Sequence, residues 1–382
     1  MPFNTLCKAA LGRTLRQPWR LRPVAGLAGL ALAGLAACSS PAPRAPAALS
    51  APALAPVPGT ASPGVPAAPA PGALPAPAPV RIGIALGGGA AKGFAHIGVL
   101  KMLEANGFAP AVVAGTSAGS VVGALYASGM DAFALQQKAV ALDEASIRDL
   151  QWSSGGLVLG QKLEDYVNAQ VQGRALERLA KPFVAVATRL EDGQRTVFAR
   201  GNTGQAVRAS SSIPGVFQPV GIGKYHFVDG GITSPVPVDA ARALGADLVV
   251  AVDISSRAQG KTPDGLLGTL GQSIAIMGQK LGQAELARAD VVVRPQVLDM
   301  GATAFDQRAS AMLEGEKAAL AAMPQLRERV ARLQAERALA AQQAAHAQAT
   351  LRYQACLDSR SRLERLAGKA GLGASCTPPA PP

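Results

Sequence analysis

Short apolar segments alternate with helical segments between residues 80 and 300, and this alternation restricts the possible folds more than any other feature. The segments with the composition of buried strands are 81–86, 111–115, 182–188, 246–254 and 290–295. Residues 94–105 and 118–128 are helical in pattern, and Gly107 and Gly129 follow them closely. Because parallel strands need long crossover connections, the sequence predicts a mostly parallel sheet with helices on both faces.

The N-terminal segment lacks this alternation. Five basic residues precede an uncharged run at 24–37, which has the build of a secretory signal and is short for a membrane-spanning helix. The run ends in Leu-Ala-Ala before Cys38, which resembles a bacterial lipobox and implies cleavage before an acylated Cys38. Residues 1–37 are therefore predicted to be a lipoprotein signal peptide, with an ordinary signal peptide as the alternative. Ser39 follows Cys38, so we expect a lipid anchor in the outer membrane, facing the periplasm.

A segment rich in Ala and Pro follows Cys38. Residues 38–79 cannot bury enough apolar surface to fold, so we expect an extended tether. The formal charge of +12 falls to +7 without residues 1–37, because these hold five basic and no acidic side chains. This lower charge disfavours a nucleic-acid partner and suits an anionic membrane surface.

Residues 303–382 form a predicted helical extension, rich in Ala and Gln, with a break at Pro324. Leu326, Val330 and Leu333 have a short seam spacing, so residues 325–370 are a candidate for packing on the body, binding a partner helix or self-association. A solvated helix with only partial packing is the alternative. Two cysteines lie in the same extension. In an oxidising compartment Cys356 and Cys376 could pair, or both could remain free thiols.

Ser117 stands in the sequence Gly-Thr-Ser-Ala-Gly, between a predicted strand and a predicted helix. A serine on a sharp strand-to-helix turn is crowded, and Gly115 and Gly119 leave room for its Oγ to project. The helix that follows supplies N–H groups and positive potential at its start. The pattern therefore predicts a nucleophile.

A glycine-rich loop at residues 87–93 also lies between a strand and a helix. Lys92 occupies the position where a dinucleotide fingerprint requires glycine, and Phe94 the position where a phosphate-binding loop requires Ser or Thr. A nucleotide-binding module is thus disfavoured. Consecutive glycines allow backbone N–H groups to converge, so an oxyanion hole is the preferred interpretation. Its candidate residues are Gly87, Gly88, Gly89 and Gly93.

Asp229 is followed by Gly230 and Gly231 at the end of an apparent strand. A plain Asp-Gly turn would explain this pattern when it is taken alone. The carboxylate becomes a candidate base because the chain has only three histidines.

None of these histidines is well placed for a Ser-His-Asp triad. His226 lies three positions before Asp229 on a strand, so the two side chains should face opposite sides. His96 falls in the helix after the glycine loop, where packing is its expected role, and His346 lies in the C-terminal extension. A direct dyad, in which the carboxylate accepts the proton of Ser117, remains.

Three sequence blocks, LGGGAAKGFAHIGVL, GTSAGS and SSIPGVFQPV…FVDGG, together resemble the patatin-like phospholipases. The resemblance covers about residues 80–300, within the predicted catalytic domain at residues 80–302. It implies a three-layer α/β/α sandwich, an oxyanion loop at 87–93, and a dyad of Ser117 and Asp229. It also implies hydrolysis of acyl esters of phospholipids or lysophospholipids with no metal or other cofactor.

The chain departs from the usual family pattern at two positions. Lys92 stands where many relatives have Arg, and Ser234 where many have Asn. Neither change removes a reacting group, although Lys92 could alter the anchoring of the loop. An apolar stretch at 152–160 is either a mobile flap or a buried loop. Two alternative functions remain, a catalytically silent membrane-tethered scaffold and an esterase acting on other acyl esters.

Overall fold

The computed structural model describes residues 78–147, 149, 158–256, 265–367 and 375–379. The predicted signal peptide, Cys38, the linker up to residue 77 and residues 152–157 of the predicted flap lie outside these ranges. None of the helices that the structure describes combines the length and the apolar character needed to cross a membrane.

Strands and helices alternate through most of the described chain. The strands are β1 (Ile82–Leu86), β2 (Val112–Thr116), β3 (Phe183–Arg189), β4 (Arg195–Phe198), β5 (Val220–Ile222), β6 (Tyr225–Asp229), β7 (Leu248–Val252) and β8 (Val291–Val293). The helices are α1 (Phe94–Ala105), α2 (Ala118–Ala127), α3 (Ala132–Ala141), α4 (Gln161–Gln170), α5 (Thr203–Ser210), α6 (Val238–Ala243), α7 (Gly265–Leu286) and α8 (Arg308–Ala367).

The strands form one sheet in the order β5-β6-β3-β2-β1-β7-β8, with β4 paired to β3. The run β3-β2-β1-β7-β8 is parallel throughout. Strands β4, β5 and β6 add antiparallel pairings at one side. The prediction of a mostly parallel sheet is therefore confirmed. Ser117 and the glycine loop follow β2 and β1 directly, so both lie at the carboxyl edge of the parallel strands, where such sheets bind ligands.

Helices cover both faces of the sheet, which confirms the three-layer α/β/α sandwich. Along β1, Ile84 and Leu86 pack into a core shared with α1, α2 and α8, whereas Ala85 faces the opposite core. That second core contains Ala240 and Ala241 of α6 and Leu286 of α7. The alternation follows from the two-residue period of a strand.

The C-terminal extension is one helix, and the predicted break at Pro324 is wrong. Helix α8 has 60 residues and contains Pro324 in its interior. A proline removes one backbone hydrogen bond and crowds the preceding turn. Met323 and Leu326 on either side of Pro324 are buried in the main core, and this packing holds the helix together across the proline.

The first half of α8 crosses α1 at very short range. A Cβ atom on Gly98 would lie 1.9 Å from the Met312 carbonyl oxygen, and one on Gly315 would lie 2.0 Å from that of Ala95. Lys101 and Glu316 form an ion pair of 2.7 Å beside this crossing. Of the predicted seam, Leu326 is buried, and Val330 and Leu333 pack partly against the same core. The seam therefore packs on the body of the protein.

A disulfide joins Cys356 and Cys376, whose Cα atoms are 5.9 Å apart. Cys356 lies within α8, and Cys376 lies in the short segment described at residues 375–379. The bond therefore ties this segment back to the helix.

Candidate active site

Ser117 occupies a sharp turn between β2 and α2. Its backbone has φ 52° and ψ −125°, a conformation that residues other than glycine rarely adopt and that often marks functional sites. A Cβ atom on Gly115 would lie 2.4 Å from the Gly119 carbonyl oxygen, and one on Gly119 would lie 2.1 Å from that of Leu86. The turn therefore requires glycine at both positions flanking Ser117.

The side chains of Ser117 and Asp229 meet directly. Ser117 Oγ donates a hydrogen bond of 2.6 Å to Asp229 Oδ2, and the backbone N–H of Gly231 donates one of 2.7 Å to Oδ1. Gly230 fits only without a side chain, because its Cβ atom would lie 2.1 Å from the Val186 carbonyl oxygen. The Asp-Gly-Gly turn thus positions the carboxylate against the serine hydroxyl.

Burial sets the electrostatics of this pair. Ser117 is 5% exposed and Asp229 is 7% exposed. Burial raises the pKa of Asp229 to about 6, and the hydrogen bonds from Ser117 and Gly231 oppose that rise. The carboxylate is thus ionised at neutral pH, and it is more basic than an ordinary aspartate. A general base needs both properties.

None of the three histidines, all of which the structure describes, hydrogen-bonds to Ser117 or Asp229. His226 is exposed and its Nδ1 lies 3.0 Å from Glu191 Oε1. His346 lies on the second half of α8. His96 is fully buried, and its Nε2 lies 2.8 Å from the Gly87 carbonyl oxygen. Burial lowers the pKa of His96 to about 4, so it is neutral and supports the glycine loop as well as packing.

Two residues of the glycine loop do not fit the predicted role of hydrogen-bond donors to an oxyanion. The N–H of Gly87 donates to the Val252 carbonyl at 3.1 Å, and that of Gly88 donates to the Pro235 carbonyl at 3.0 Å. Both groups are thus engaged by the fold. Gly88 instead provides space, because a Cβ atom there would lie 3.2 Å from Ser117 Cβ.

Three further backbone N–H groups, in the glycine loop and at the start of α2, remain as candidate donors. Those of Gly89, Ala90 and Ala118 make no hydrogen bond to any residue in the described part of the chain. Ala90 has φ 52°, a left-handed conformation that re-aims the backbone inside the loop. Gly93 packs against the start of α2, since a Cβ atom there would lie 2.7 Å from Ala118 Cβ.

Lys92 anchors the glycine loop from within the protein. Its side chain is buried, and Nζ donates a hydrogen bond of 2.7 Å to Ser256 Oγ, in the segment after β7. Burial lowers the pKa of Lys92, and the nearby charge of Asp253 opposes this shift. The lysine therefore ties the loops that follow β1 and β7 together.

Glu285 of α7 is a supporting residue that the sequence analysis missed. Its buried carboxylate accepts hydrogen bonds from the Ser234 hydroxyl and, at 2.8 Å, from the N–H of Val236. Ser234 in turn accepts a hydrogen bond of 2.8 Å from Thr116 Oγ1 at its carbonyl. Glu285 thus holds residues 234–236 in place, and these residues contact both the glycine loop and the strand before Ser117. One sequence signal for it is that α7 contains a single acidic residue.

An apolar cavity of about 60 Å³ lies beside the first turns of α1 and α2. Phe94, which directly follows the glycine loop, and Val121 and Val122, on the first turn after Ser117, form part of its wall. Its remaining lining is mostly aliphatic and comes from α1 to α4. The cavity can therefore accept a short length of hydrocarbon, although Ser117 is not among the residues that line it.

Comparisons with known proteins identify related proteins for this part of the chain. Residues 84–242 match the family model described as patatin-like phospholipase, a range that includes Ser117 and Asp229. Over 186 residues the chain is 37% identical to an uncharacterized NTE family protein of Mycobacterium tuberculosis (strain ATCC 25618 / H37Rv), covering 48% of this chain and 52% of the relative. Over 184 residues it is 33% identical to patatin-like phospholipase domain-containing protein 6 of Homo sapiens, covering 46% of this chain and 13% of that protein.

The matched regions thus span about half the length of the mycobacterial relative and a smaller part of the human one. Among solved structures, the chain aligns with full-length ExoU in complex with SpcU from Pseudomonas aeruginosa. That alignment has 16% identity and a TM-score of 0.41, and it covers 79% of this chain and 66% of that one.

Proposed function

Since the chain belongs to the patatin-like phospholipase family, we propose that it is a serine hydrolase that cleaves fatty-acyl esters of phospholipids or lysophospholipids. The observation that carries this proposal is the 2.6 Å hydrogen bond from Ser117 Oγ to the buried carboxylate of Asp229. Acyl transfer by a serine requires a nucleophilic hydroxyl within hydrogen-bond distance of a base, and this pair meets that requirement.

The reaction proceeds in two steps. Asp229 accepts the Ser117 proton while Oγ attacks the ester carbonyl, and the N–H groups of Gly89, Ala90 and Ala118 stabilise the resulting oxyanion. Collapse of this intermediate breaks the ester bond, and the departing alcohol takes the proton from Asp229. Water, deprotonated by the same carboxylate, then attacks the acyl-enzyme and releases the fatty acid. This attack regenerates Ser117.

Two features support a lipid as the substrate. The apolar cavity beside α2 offers a place for the first part of an acyl chain. The proposed lipid anchor at Cys38 and the tether through residue 79 would keep the catalytic domain close to a bilayer, where acyl esters are concentrated. We propose the periplasmic face of the outer membrane as this location.

The test combines labelling with a fluorophosphonate probe and measurement of fatty-acid release from phospholipid vesicles. Ser117→Ala should lose both activities, and Asp229→Asn should lose at least about 100-fold in hydrolysis, because general-base catalysis typically contributes that much. His226→Ala and His346→Ala are the matched controls and should retain full activity.

Each contrary result selects another function. Loss of activity in His226→Ala at unchanged stability would contradict the dyad. Cleavage of short soluble esters without any release from lipids would leave an esterase for other acyl esters. Failure of Ser117 to react with the probe would leave the silent scaffold.

A further inference from the structure

Between Ile276 and Glu285, helix α7 has the reverse of the usual residue distribution for a surface helix. Its inner side, toward the active site, carries glycines and one acid. A Cβ atom on Gly278 would lie 3.7 Å from the Gly231 carbonyl oxygen, and one on Gly282 would lie 3.5 Å from the Pro235 ring. Glu285 is buried on the same side. The small residues thus let α7 lie close against the Asp-Gly-Gly turn.

Three large apolar residues of α7 point outward instead, whereas Leu286 at the end of the helix is buried in the second core. Ile276 is 45% exposed, Met277 55% and Leu281 40%, and Lys280 is exposed between them. Residues at this spacing share one side of a helix. We name these four residues the outer face of α7. Clustered exposed apolar residues are uncommon on soluble surfaces and indicate an apolar partner.

The charge of α7 identifies the chemistry of that partner. Its 22 residues include only two charged side chains, Lys280 and Glu285. Because Glu285 is buried, the outer face carries a single positive charge and no exposed carboxylate. An apolar stripe with a cation suits the interface of an anionic phospholipid bilayer.

We propose that the outer face of α7 docks on a bilayer containing anionic phospholipid. In this position, the helix buries Ile276, Met277 and Leu281 among the lipid headgroups and the upper acyl chains. The inner side of the same helix contacts Gly231, whose N–H holds Asp229, so docking places the lipid surface one helix diameter, roughly 10 Å, from the turn that positions the base. This proposal rests on the proposed function only in taking the lipid to be the substrate.

The direct test uses an environment-sensitive fluorophore on a single cysteine. The full chain carries Cys7→Ser, Cys38→Ser and Ser117→Ala, so that neither lipidation nor hydrolysis affects the signal. Cys356 and Cys376 are joined and do not react. Met277→Cys places the fluorophore on the outer face, and Leu351→Cys places it on an exposed apolar position of α8 as the matched control.

Vesicles of phosphatidylethanolamine and phosphatidylglycerol should cause a blue shift and a several-fold gain in emission at position 277, with no change at position 351. Replacement of either Ile276 or Leu281 by Gln should weaken this response about tenfold, since each removes a buried apolar side chain. Equal responses at 277 and 351, or none, would overturn the proposal. A blue shift at 277 that grows with protein concentration without vesicles would show a second copy of the chain as the partner instead.

An activity measurement separates docking from catalysis. In the enzyme with Ser117 intact, Ile276→Gln combined with Leu281→Gln should lower hydrolysis of vesicle lipids and leave hydrolysis of a short soluble ester unchanged. An equal loss on both substrates would contradict docking and indicate damage to the site. If no variant cleaves lipid, the proposed function fails, yet the fluorescence at position 277 still decides whether the helix docks.

Discussion

The catalytic pair combines a strained backbone with a buried charge. Ser117 and Ala90 both have φ 52°, which costs on the order of 1–3 kcal/mol at each residue. Asp229 adds the cost of keeping a carboxylate ionised away from water. The same features direct the serine Oγ toward Asp229 and raise the pKa of the base. We therefore expect the site to lower the stability of the fold.

Replacement of Asp229 by Asn should stabilise the protein in a pH-dependent manner. The folded-state pKa of about 6 exceeds the ordinary aspartate value of 3.8, so the folded state holds the proton more tightly. This contribution to stability is complete below about pH 4 and is lost as the pH rises through 6. Asparagine stays neutral, so at pH 8 Asp229→Asn should be more stable by up to about 3 kcal/mol.

Thermal unfolding of both proteins between pH 4 and pH 8 tests this expectation. The difference in melting temperature should be small at pH 4 and should reach its maximum above pH 7. Leu351→Ala is the control, because Leu351 is exposed and carries no titratable group, so it should give no such trend. A difference that does not change with pH would contradict the raised pKa.

Among the secondary-structure elements, α1 and α8 approach each other closely where they cross. The carbonyl groups of Ala95 and Met312 occupy the space where side chains at positions 315 and 98 would stand. These backbone carbonyl groups cannot move aside to make room for a Cβ atom, as the end of a flexible side chain could. The glycines therefore fix the distance between the two helices.

Gly98→Ala should destabilise the protein even though alanine favours helices. Helix propensity alone would gain about 1 kcal/mol. The Cβ atom, however, would lie 1.9 Å from the Met312 carbonyl oxygen, and relief of this clash should cost about 3 kcal/mol or more. Gly271→Ala on α7 is the matched control, since nothing lies within 4 Å of its Cβ position, and it should be neutral or stabilising.

Chemical denaturation with urea measures both changes. A Gly98→Ala protein as stable as the parent would show that α8 can move away from α1 without loss. The proposed interlocking of the two helices would then be wrong.

The sequence predicted the elements whose signals are local. Neighbouring residues determine the turn at Ser117, the strand-to-helix pattern and the Asp-Gly-Gly turn. The glycines in these segments indicate positions that leave no room for a side chain. Contacts between distant segments gave no such signal. The donors at Gly87 and Gly88 were misassigned because Val252 and Pro235 accept their hydrogen bonds from far along the chain.

Pro324 shows the same limit for a helix. The local rule that proline ends a helix is sound for an isolated segment. Here the burial of Met323 and Leu326 against the core outweighs it. Such packing depends on the partner helix, which the sequence around Pro324 does not describe.

For the molecule as a whole, the proposed lipid anchor and the proposed docking helix are two separate routes to a membrane. The anchor depends on Cys38 alone, whereas α7 binds reversibly through a few side chains. Membrane binding through a single acyl chain or a single apolar helix face is weak, and stable membrane attachment takes two such contacts. A protein with both would remain at the bilayer and present its site to the lipid.

Cys38→Ala should therefore move the protein from washed membranes to the soluble fraction and abolish incorporation of labelled fatty acid. Cys7→Ala is the control, because Cys7 lies in the segment predicted to be removed, and it should change neither result. Fractionation of cells after dilution and washing gives the answer. A Cys38→Ala protein that still sediments with membranes would contradict the lipid as the sole lasting anchor.

The crossing of α1 and α8 also imposes an order in time. The hydrogen bond between Ser117 and Asp229 joins positions 112 residues apart, whereas the pair Lys101–Glu316 spans 215. A ribosome therefore completes both catalytic segments before it makes the helix that covers α1, and at usual synthesis rates the interval is on the order of ten seconds. Throughout this interval the nascent chain exposes the apolar side of α1, and the glycine loop beside it lacks its final support. We therefore expect the proposed hydrolase activity to appear only after the C-terminal helix has been translated.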